Sequence, residues 1–127
     1  MTPRTARLLL SLVFLSLGSW ALLAPGLAVE LTIRQQYQSD ARLVTVLMGA
    51  FGAQAVLSGL FAALGRFTRT TFLAYGLTLP AFFVFNWWFF AVEPLLAPLG
   101  LLDAAGNVVM LALCIVGWRG LPPGKAA

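Results

Sequence analysis

The sequence predicts an all-α integral membrane protein, a four-helix bundle that forms a single transmembrane domain over residues 1–127. Hydrophobic residues make up 61% of the chain, charged residues make up 9%, and the mean hydropathy is +0.93. The apolar residues fall into four runs, each long enough to cross the roughly 30 Å hydrocarbon core of a bilayer as a helix. Charges are confined to the ends of these runs and the segments between them, so no residues remain for a soluble domain.

The first span is predicted at about residues 8–26, in an uncharged run that follows Arg4 and Arg7. Pro25 closes the run, as a proline does beyond the end of a helix. The alternative interpretation is a secretory signal peptide in which the two arginines form the basic region. We favour the membrane helix because the run is long for the apolar part of a signal peptide.

The most polar segment follows at residues 28–42 and must lie outside the hydrocarbon core. Apolar and polar residues alternate from Val29 to Arg34. This pattern is compatible with a short strand or with an amphipathic stretch on the membrane surface. Asp40 and Arg42 are expected to form an interfacial ion pair that contributes little to stability if exposed.

The second span, at about residues 43–64, is rich in small residues at four-residue spacings. Such spacing lets two helix backbones approach closely in lipid. Gln54 lies halfway along the span, where an amide normally faces other helices; we favour an interhelical hydrogen bond over a ligand contact. We predict a helix-packing face, used within the chain or for self-association, that consists of Gly49, Ala53, Gln54, Ala55, Gly59 and Ala63.

The third span is predicted at about residues 72–92 and should be bent by Pro80. A single amide, Asn86, lies within a nearly unbroken aromatic run. The segment 93–103 has two prolines and six apolar residues, which favours a shallow turn on the membrane interface. The fourth span follows at about residues 102–118, with Asp103 expected as its N-cap.

Charge predicts the orientation. With four spans, both termini share one side with the middle loop, and six of the eight basic residues lie there without an acid. The opposite side holds two basic residues and all four acids. Basic residues are retained on the cytoplasmic side, so we expect cytoplasmic N and C termini in a multi-pass protein of the bacterial inner membrane.

One polar cluster is a candidate ligand site. Asp103 and Asn107 share a face of the fourth span, and Asn86 lies at a similar depth on the third. If these faces meet, they form an outer-leaflet pocket of the kind that holds a small apolar ligand, and a carboxylate there could act as an acid or base. The candidate ligand-binding residues are Asn86, Asn107, Trp87, Trp88, Glu93 and Asp103.

Structural explanations compete with this interpretation at each residue. Asp103 suits a helix cap, Glu93 suits an interfacial charge, and Trp87 and Trp88 suit the aromatic belt at a membrane surface. Asn86 is hardest to explain without a partner, and Asn107 on the adjacent helix is the expected one.

The residues that are missing exclude most catalytic chemistry. The chain has no histidine and one cysteine, Cys114. Histidine-dependent triads, histidine-ligated haem and intrachain disulfides are therefore excluded within one chain. We expect no catalytic residue, metal or cofactor, and we favour a role other than an enzyme. The net charge of +4 is spread along the chain, so no nucleic-acid partner is expected.

The first half of the chain carries a family resemblance. The segment Ala24–Leu27 closes the first span, Asp40 and Arg42 precede the second, and the glycine-rich stretch MGAFGAQAVLSGLFAAL follows. Over residues 8–64 these features resemble small bacterial four-helix membrane proteins related to DoxX. The resemblance implies a four-helix bundle and an accessory or quinone-linked role in a membrane redox complex. The segment FNWWFF follows no pattern of that family, so no functional residue is carried over.

Two functions are therefore expected. The first is an accessory or assembly subunit of a larger membrane complex, because the chain is small and has surfaces suited to helix packing. The alternative is a stand-alone protein that binds a lipid, a sterol-like molecule or a quinone in the outer-leaflet pocket. The expected partners are membrane lipids together with other membrane subunits, a second copy of the chain, or such a ligand.

Overall fold

A computed structural model describes residues 1–39 and 41–127. Within these residues the regular structure is helical, with five α-helices: α1 Pro3–Leu23, α2 Pro25–Thr32, α3 Arg42–Leu64, α4 Arg69–Trp87 and α5 Leu101–Gly120. A π-helical turn, Trp88–Val92, extends α4, and short 3-10 turns lie at Gln35–Tyr37 and Pro98–Gly100. Asp40 is outside the described residues, and so is its predicted ion pair with Arg42.

Four of these helical segments are long and apolar enough to cross a membrane, which confirms the all-α class and the membrane interpretation. They are Pro3–Leu23, Arg42–Leu64, Arg69–Val92 and Pro98–Gly120. The first differs most from its predicted bounds of 8–26. It begins at Pro3 because the Thr2 hydroxyl accepts from the Thr5 N–H and caps it, and it ends before Pro25, which starts a separate helix.

The polar segment after α1 is mainly helical. The short helix α2 takes up Pro25–Thr32, and the Thr32 hydroxyl donates to the Ala28 carbonyl over 2.6 Å. Of the predicted strand, one isolated bridge from Ile33 to Leu96 is present among the described residues. That bridge, with a hydrogen bond from Arg34 Nε to the Leu96 carbonyl, fastens the segment to the connection between α4 and α5.

The four long helices pack in the order α3, α1, α5, α4, so that consecutive helices α3 and α4 lie at the two ends of the arrangement. Glycines bring α1 and α3 together. A Cβ on Gly18 would lie 2.8 Å from Ala55 Cβ, and one on Gly52 would lie 2.8 Å from the Gly18 carbonyl oxygen. The Ser11 hydroxyl donates to the Gly59 carbonyl over 2.8 Å. Such short separations leave no room for side chains at these glycines.

The α1–α3 contact uses only part of the predicted packing face. Gly59 is buried against Leu15, and Ala55 lies against Gly18, whereas the surroundings of a Cβ on Gly49 would be ordinary, with Pro25 at 3.9 Å. Ala53 and Gln54 are exposed. Gln54 therefore packs against no helix of its own chain among the described residues, and its interhelical hydrogen bond stays a prediction. Helix α3 is rotated so that Gly52 and Gly59, which are seven residues apart, face α1. This rotation places Gln54 on the outer surface of the bundle.

The α4–α5 contact is built around Phe72, which is fully buried and lies where a side chain on Gly117 would be. Helix α4 starts with a capping box in which Thr68 and Thr71 exchange hydrogen bonds between side chain and backbone. Pro80 lies within this helix and is exposed. It leaves one backbone carbonyl of the preceding turn without its helical donor.

Both termini and the α3–α4 loop meet at one end of the bundle. Arg7 is buried and donates through Nη1 to the Gly65 carbonyl. Phe67 and Ala127 exchange two backbone hydrogen bonds, with Phe67 N to Ala127 O at 3.2 Å and Ala127 N to Phe67 O at 2.8 Å. The segments that carry the six basic residues are thus gathered at this end, and α2 lies at the other.

Candidate functional site

A cavity of about 770 Å³ lies between α3 and α4 at the α2 end of the bundle. The second half of α1 forms its back wall through Leu17, Trp20 and Ala21, and α2 covers it from above. Its side walls come from the first half of α3 and the second half of α4, including Phe51 and Phe82. The volume falls within the range of about 300–1,000 Å³ that is usual for small-molecule sites.

The cavity exists because α3 and α4 are held apart. Each is fixed to a different inner helix, α3 to α1 and α4 to α5, so the space between them is not filled by a helix. Phe51, Phe82 and Phe85 line the cavity and are also exposed at the surface. The cavity therefore opens sideways between α3 and α4, in the direction from which a lipid-dissolved molecule would enter.

A polar cluster forms one part of the wall. Asn86 Nδ2 donates to Asp103 Oδ2 over 2.7 Å and to the Phe82 carbonyl over 2.9 Å. Asn107 Nδ2 donates to the same Asp103 oxygen over 3.0 Å. Asn86 is 4% exposed and Asn107 is 2% exposed. Asp103 thus joins the two buried amides, whereas the sequence led us to expect a direct contact between them.

The helix start explains how Asp103 reaches this position. We expected Asp103 to be the N-cap of the fourth span, but α5 begins at Leu101 after the turn Pro98–Gly100, and Gly100 is the capping residue. Asp103 lies in the first turn, where a negative charge is favourable near the helix N-terminus. Its side chain is therefore free to turn towards α4 and accept from Asn86.

Asn86 and Asp103 line the cavity, and Asn107 supports them from below. Among the described residues, neither Asp103 Oδ1 nor Asn86 Oδ1 takes part in a hydrogen bond. Both atoms are acceptors, since a carboxylate donates nothing and the amide oxygen carries only lone pairs. The cluster therefore presents unused acceptors beside a largely apolar wall.

The other predicted ligand residues lie elsewhere. Trp87 and Trp88 face outwards, with 59% and 42% of their surfaces exposed, and neither lines the cavity. Glu93 is exposed at the end of the π-helical turn, also away from the cavity. The helix rotation that buries Asn86 against α5 places the next two residues on the outer surface, as an aromatic belt requires.

The sequence matches no protein-family model, no curated protein and no solved structure. The resemblance to DoxX-related proteins therefore stays a prediction. The site has to be interpreted from its own chemistry.

Several cavity residues were not identified from the sequence. Ala21 and Ala28 are small residues on α1 and α2 that leave space behind the aromatic wall, and Met48 extends the α3 side. The sequence does indicate Ala21, because it is a small residue three positions after Gly18 and therefore lies on the same face of α1. Nothing in the chain predicted that α2 would fold over the opening between α3 and α4.

The arrangement is suited to binding and offers little for catalysis or metal coordination. Within residues 1–39 and 41–127, no group of three or more His, Cys, Asp or Glu side chains is close enough to hold a metal ion. The polar side chains that line the cavity are Asn86, Asp103, Trp20 and Thr32, and the Thr32 hydroxyl already donates to the Ala28 carbonyl. The acceptors of Asn86 and Asp103 can orient a ligand head group while the apolar walls hold its hydrocarbon part.

Proposed function

We propose that this protein binds an amphipathic lipophile in the cavity between α3 and α4. The observation that carries the proposal is the Asn86–Asp103–Asn107 cluster at the wall of a large, laterally open apolar cavity. A buried polar cluster within a membrane span is costly unless it is satisfied, and such clusters are commonly functional. Here both amide nitrogens donate to groups within the chain, whereas Asp103 Oδ1 and Asn86 Oδ1 accept no hydrogen bond from the described residues.

The hydrogen-bonding pattern narrows the class of ligand. A hydroxyl or an ammonium group donates to the acceptor atoms Asp103 Oδ1 and Asn86 Oδ1, and a carbonyl does not. A lipid or sterol-like molecule with a hydroxyl or amino head therefore fits. Of the quinone family expected from the sequence, the reduced quinol suits the acceptors of Asn86 and Asp103 better than the quinone, since only the quinol carries donors.

The six basic residues at the end with both termini support one orientation of the chain in the membrane. We propose that this end faces the cytoplasm of a bacterial cell and that the chain lies in the inner membrane. The cavity, at the opposite end, then opens into the outer leaflet. A ligand reaches it from that leaflet without crossing the bilayer, which suits a molecule that partitions there with its head group at the surface.

Extraction in polymer discs, followed by mass spectrometry of the lipids retained, tests the proposal. Asn86→Leu should abolish the selective retention of a hydroxyl- or amino-bearing lipophile, because it removes a polar atom from the cavity wall. The matched control is Asn107→Leu, which removes a hydrogen bond to the same carboxylate but does not line the cavity. Unchanged retention in Asn86→Leu, or equal loss in both variants, would count against a direct ligand contact.

An accessory-subunit role remains a second candidate, favoured by the outer face of α3. This face carries the exposed amide Gln54 near the middle of the helix and has no neighbour among the described residues. The same disc preparation tests it, because an accessory subunit should be recovered in stoichiometric amounts with other membrane proteins. Recovery of the chain with lipid alone would contradict this role.

A further inference from the structure

Helix α3 has an exposed seam that its own chain does not use. The seam residues recur at alternating spacings of four and three along the helix, and they are Leu43, Leu47, Ala50, Gln54, Leu57 and Phe61. All six are exposed; Leu43 and Phe61, near the two ends, are each 66% exposed. We call this set the outer seam. Alternating steps of four and three make up the seven-residue repeat by which one helix packs lengthwise along another.

The outer seam is distinct from the face that packs inside the chain. Gly52 and Gly59 lie on the inner face, against α1, and their spacing of seven residues is the same repeat on the other side of the helix. The two faces are separated by more than a third of a turn at 100° per residue. Helix α3 can therefore hold α1 and a further helix at the same time.

Gln54 supplies the reason for expecting a protein partner and not only lipid. It lies near the midpoint of α3, and its side chain makes no hydrogen bond to any described residue, although its backbone carbonyl accepts from the Ser58 hydroxyl over 2.9 Å. Water is absent at this depth, so an amide that faces hydrocarbon leaves two donors and an acceptor unsatisfied. Polar side chains in membrane helices usually resolve this by hydrogen bonding across a helix pair.

We propose that a second copy of this chain packs on the outer seam, so that the protein is a parallel homodimer through α3. A carboxamide carries both donor and acceptor and is therefore complementary to itself. Copies that insert with the same orientation are related by a two-fold axis along the membrane normal, and this axis brings each Gln54 opposite the other at the same depth. A central polar residue in an otherwise apolar seam also fixes the register of the two helices.

The small residue Ala50 sets the distance between the two copies. It lies one turn before Gln54, where a small side chain lets the backbones approach closely enough for the amides to meet. Larger apolar residues, Leu43 and Phe61, then pack towards the ends of the seam. Leu47 belongs to the seam and also lines the cavity, so the dimer would place the cavity opening beside the interface.

Cysteine crosslinking in native membranes tests the proposal, in a Cys114→Ala background to remove the only thiol. Ala50→Cys should form a disulfide-linked dimer on mild oxidation, since the two-fold axis brings residue 50 close to its mate. Ala112→Cys is the matched control, because it replaces an exposed alanine at mid-membrane depth on α5. Absence of the Ala50→Cys dimer, or equal crosslinking of the two variants, would overturn the proposal.

Single-molecule photobleaching of labelled full-length protein in lipid bilayers tests the role of the amide. Gln54→Leu should raise the dimer dissociation constant by about fivefold or more, the effect of losing two interhelical hydrogen bonds in a membrane. Gln54→Asn should preserve most of the association because it keeps the carboxamide. A wild-type chain that is monomeric at all protein-to-lipid ratios, an unaffected Gln54→Leu dimer, or stoichiometric pairing with a different protein would each refute it. None of these outcomes depends on whether the cavity binds a ligand.

Discussion

Asn86 Nδ2 lies 2.7 Å from Asp103 Oδ2 and thereby joins the end of α4 to the beginning of α5. The two residues are brought together by the connection between these helices, which holds Asp103 in the first turn of α5. The bond is at once a structural tie and part of the cavity wall. It links the stability of the bundle to the chemistry of the candidate site.

Replacing Asp103 by leucine should destabilise the bundle. The amides of Asn86 and Asn107 are buried and both donate to Asp103 Oδ2, so the substitution leaves two donor groups without this acceptor. Each unsatisfied buried group costs about 1–3 kcal/mol, and the Asn86 bond to Phe82 offsets part of this. Unfolding of the reconstituted protein, followed by circular dichroism, measures the loss.

Glu93→Leu is the control for Asp103→Leu. It removes a carboxylate at the same end of the bundle, but Glu93 is exposed and lies outside the cluster. Its unfolding should match the wild-type protein within about 0.5 kcal/mol, the usual range for surface substitutions. An equal effect of the two substitutions would show that the cluster contributes no stability beyond that of any carboxylate at this end of the bundle.

Two glycines on α3 should differ sharply in their tolerance of alanine. A Cβ on Gly52 would clash with Leu22 N and would lie 2.7 Å from Ala21 C and 2.8 Å from the Gly18 carbonyl oxygen, all three of which are backbone atoms that cannot turn aside. We expect Gly52→Ala to cost about 1–3 kcal/mol by forcing α1 and α3 apart. Gly49→Ala should be close to neutral, because its nearest contact, at 3.9 Å, is an ordinary one. Comparable unfolding of the two variants would contradict the α1–α3 packing.

Composition and run length were sufficient to predict four spanning helices, because hydrocarbon leaves the backbone few alternatives to a helix. The small-residue signal on α3 was real but did not identify the face. Gly49 and Gly59 were both expected to pack against another helix, yet only Gly59 lies close to α1. The tight contact of Gly52 with α1 was not predicted. The face that a helix turns towards its neighbour depends on the partner helix, here on Gly18 of α1. The residue pattern of α3 alone therefore does not predict this face.

The candidate site was predictable in part for the same reason. We predicted one cluster of Asn86, Asp103 and Asn107 because the rise per residue is the same in every α-helix and places the three residues at similar depths in the membrane. The cavity beside them depends on α2 and on the separation of α3 from α4, which are properties of tertiary packing. Trp87 and Trp88 were assigned to the pocket from their position in the chain, but residues adjacent to a buried side chain point elsewhere on a helix.

Filling the mouth of the cavity should block ligand binding without affecting the fold. Ala81 lies on α4, lines the cavity and is exposed, so Ala81→Trp places an indole in the opening. Ala74→Trp is the matched control, because Ala74 is exposed on α4 seven residues earlier and lies outside the cavity. Lipid retention in polymer discs should fall at least tenfold in Ala81→Trp, which corresponds to a loss of about 1.4 kcal/mol or more of binding free energy. Retention should remain unchanged in Ala74→Trp. Equal retention in both would place the ligand elsewhere.

Single-cysteine labelling should reveal one orientation for every copy. Six basic residues lie in the segments that meet at the end with both termini, whereas α2 and the 3-10 turn Gln35–Tyr37 lie at the opposite end with Glu30, Glu93 and Asp103. Basic residues resist translocation, so the first end should stay in the cytoplasm. In a Cys114→Ala background, a membrane-impermeant maleimide applied to spheroplasts should label Gln36→Cys and spare Lys125→Cys, and both should react once the membrane is opened. Labelling of Lys125→Cys alone would reverse the assigned orientation, and partial labelling at both positions would indicate dual insertion, which is incompatible with a parallel α3 pair in every dimer.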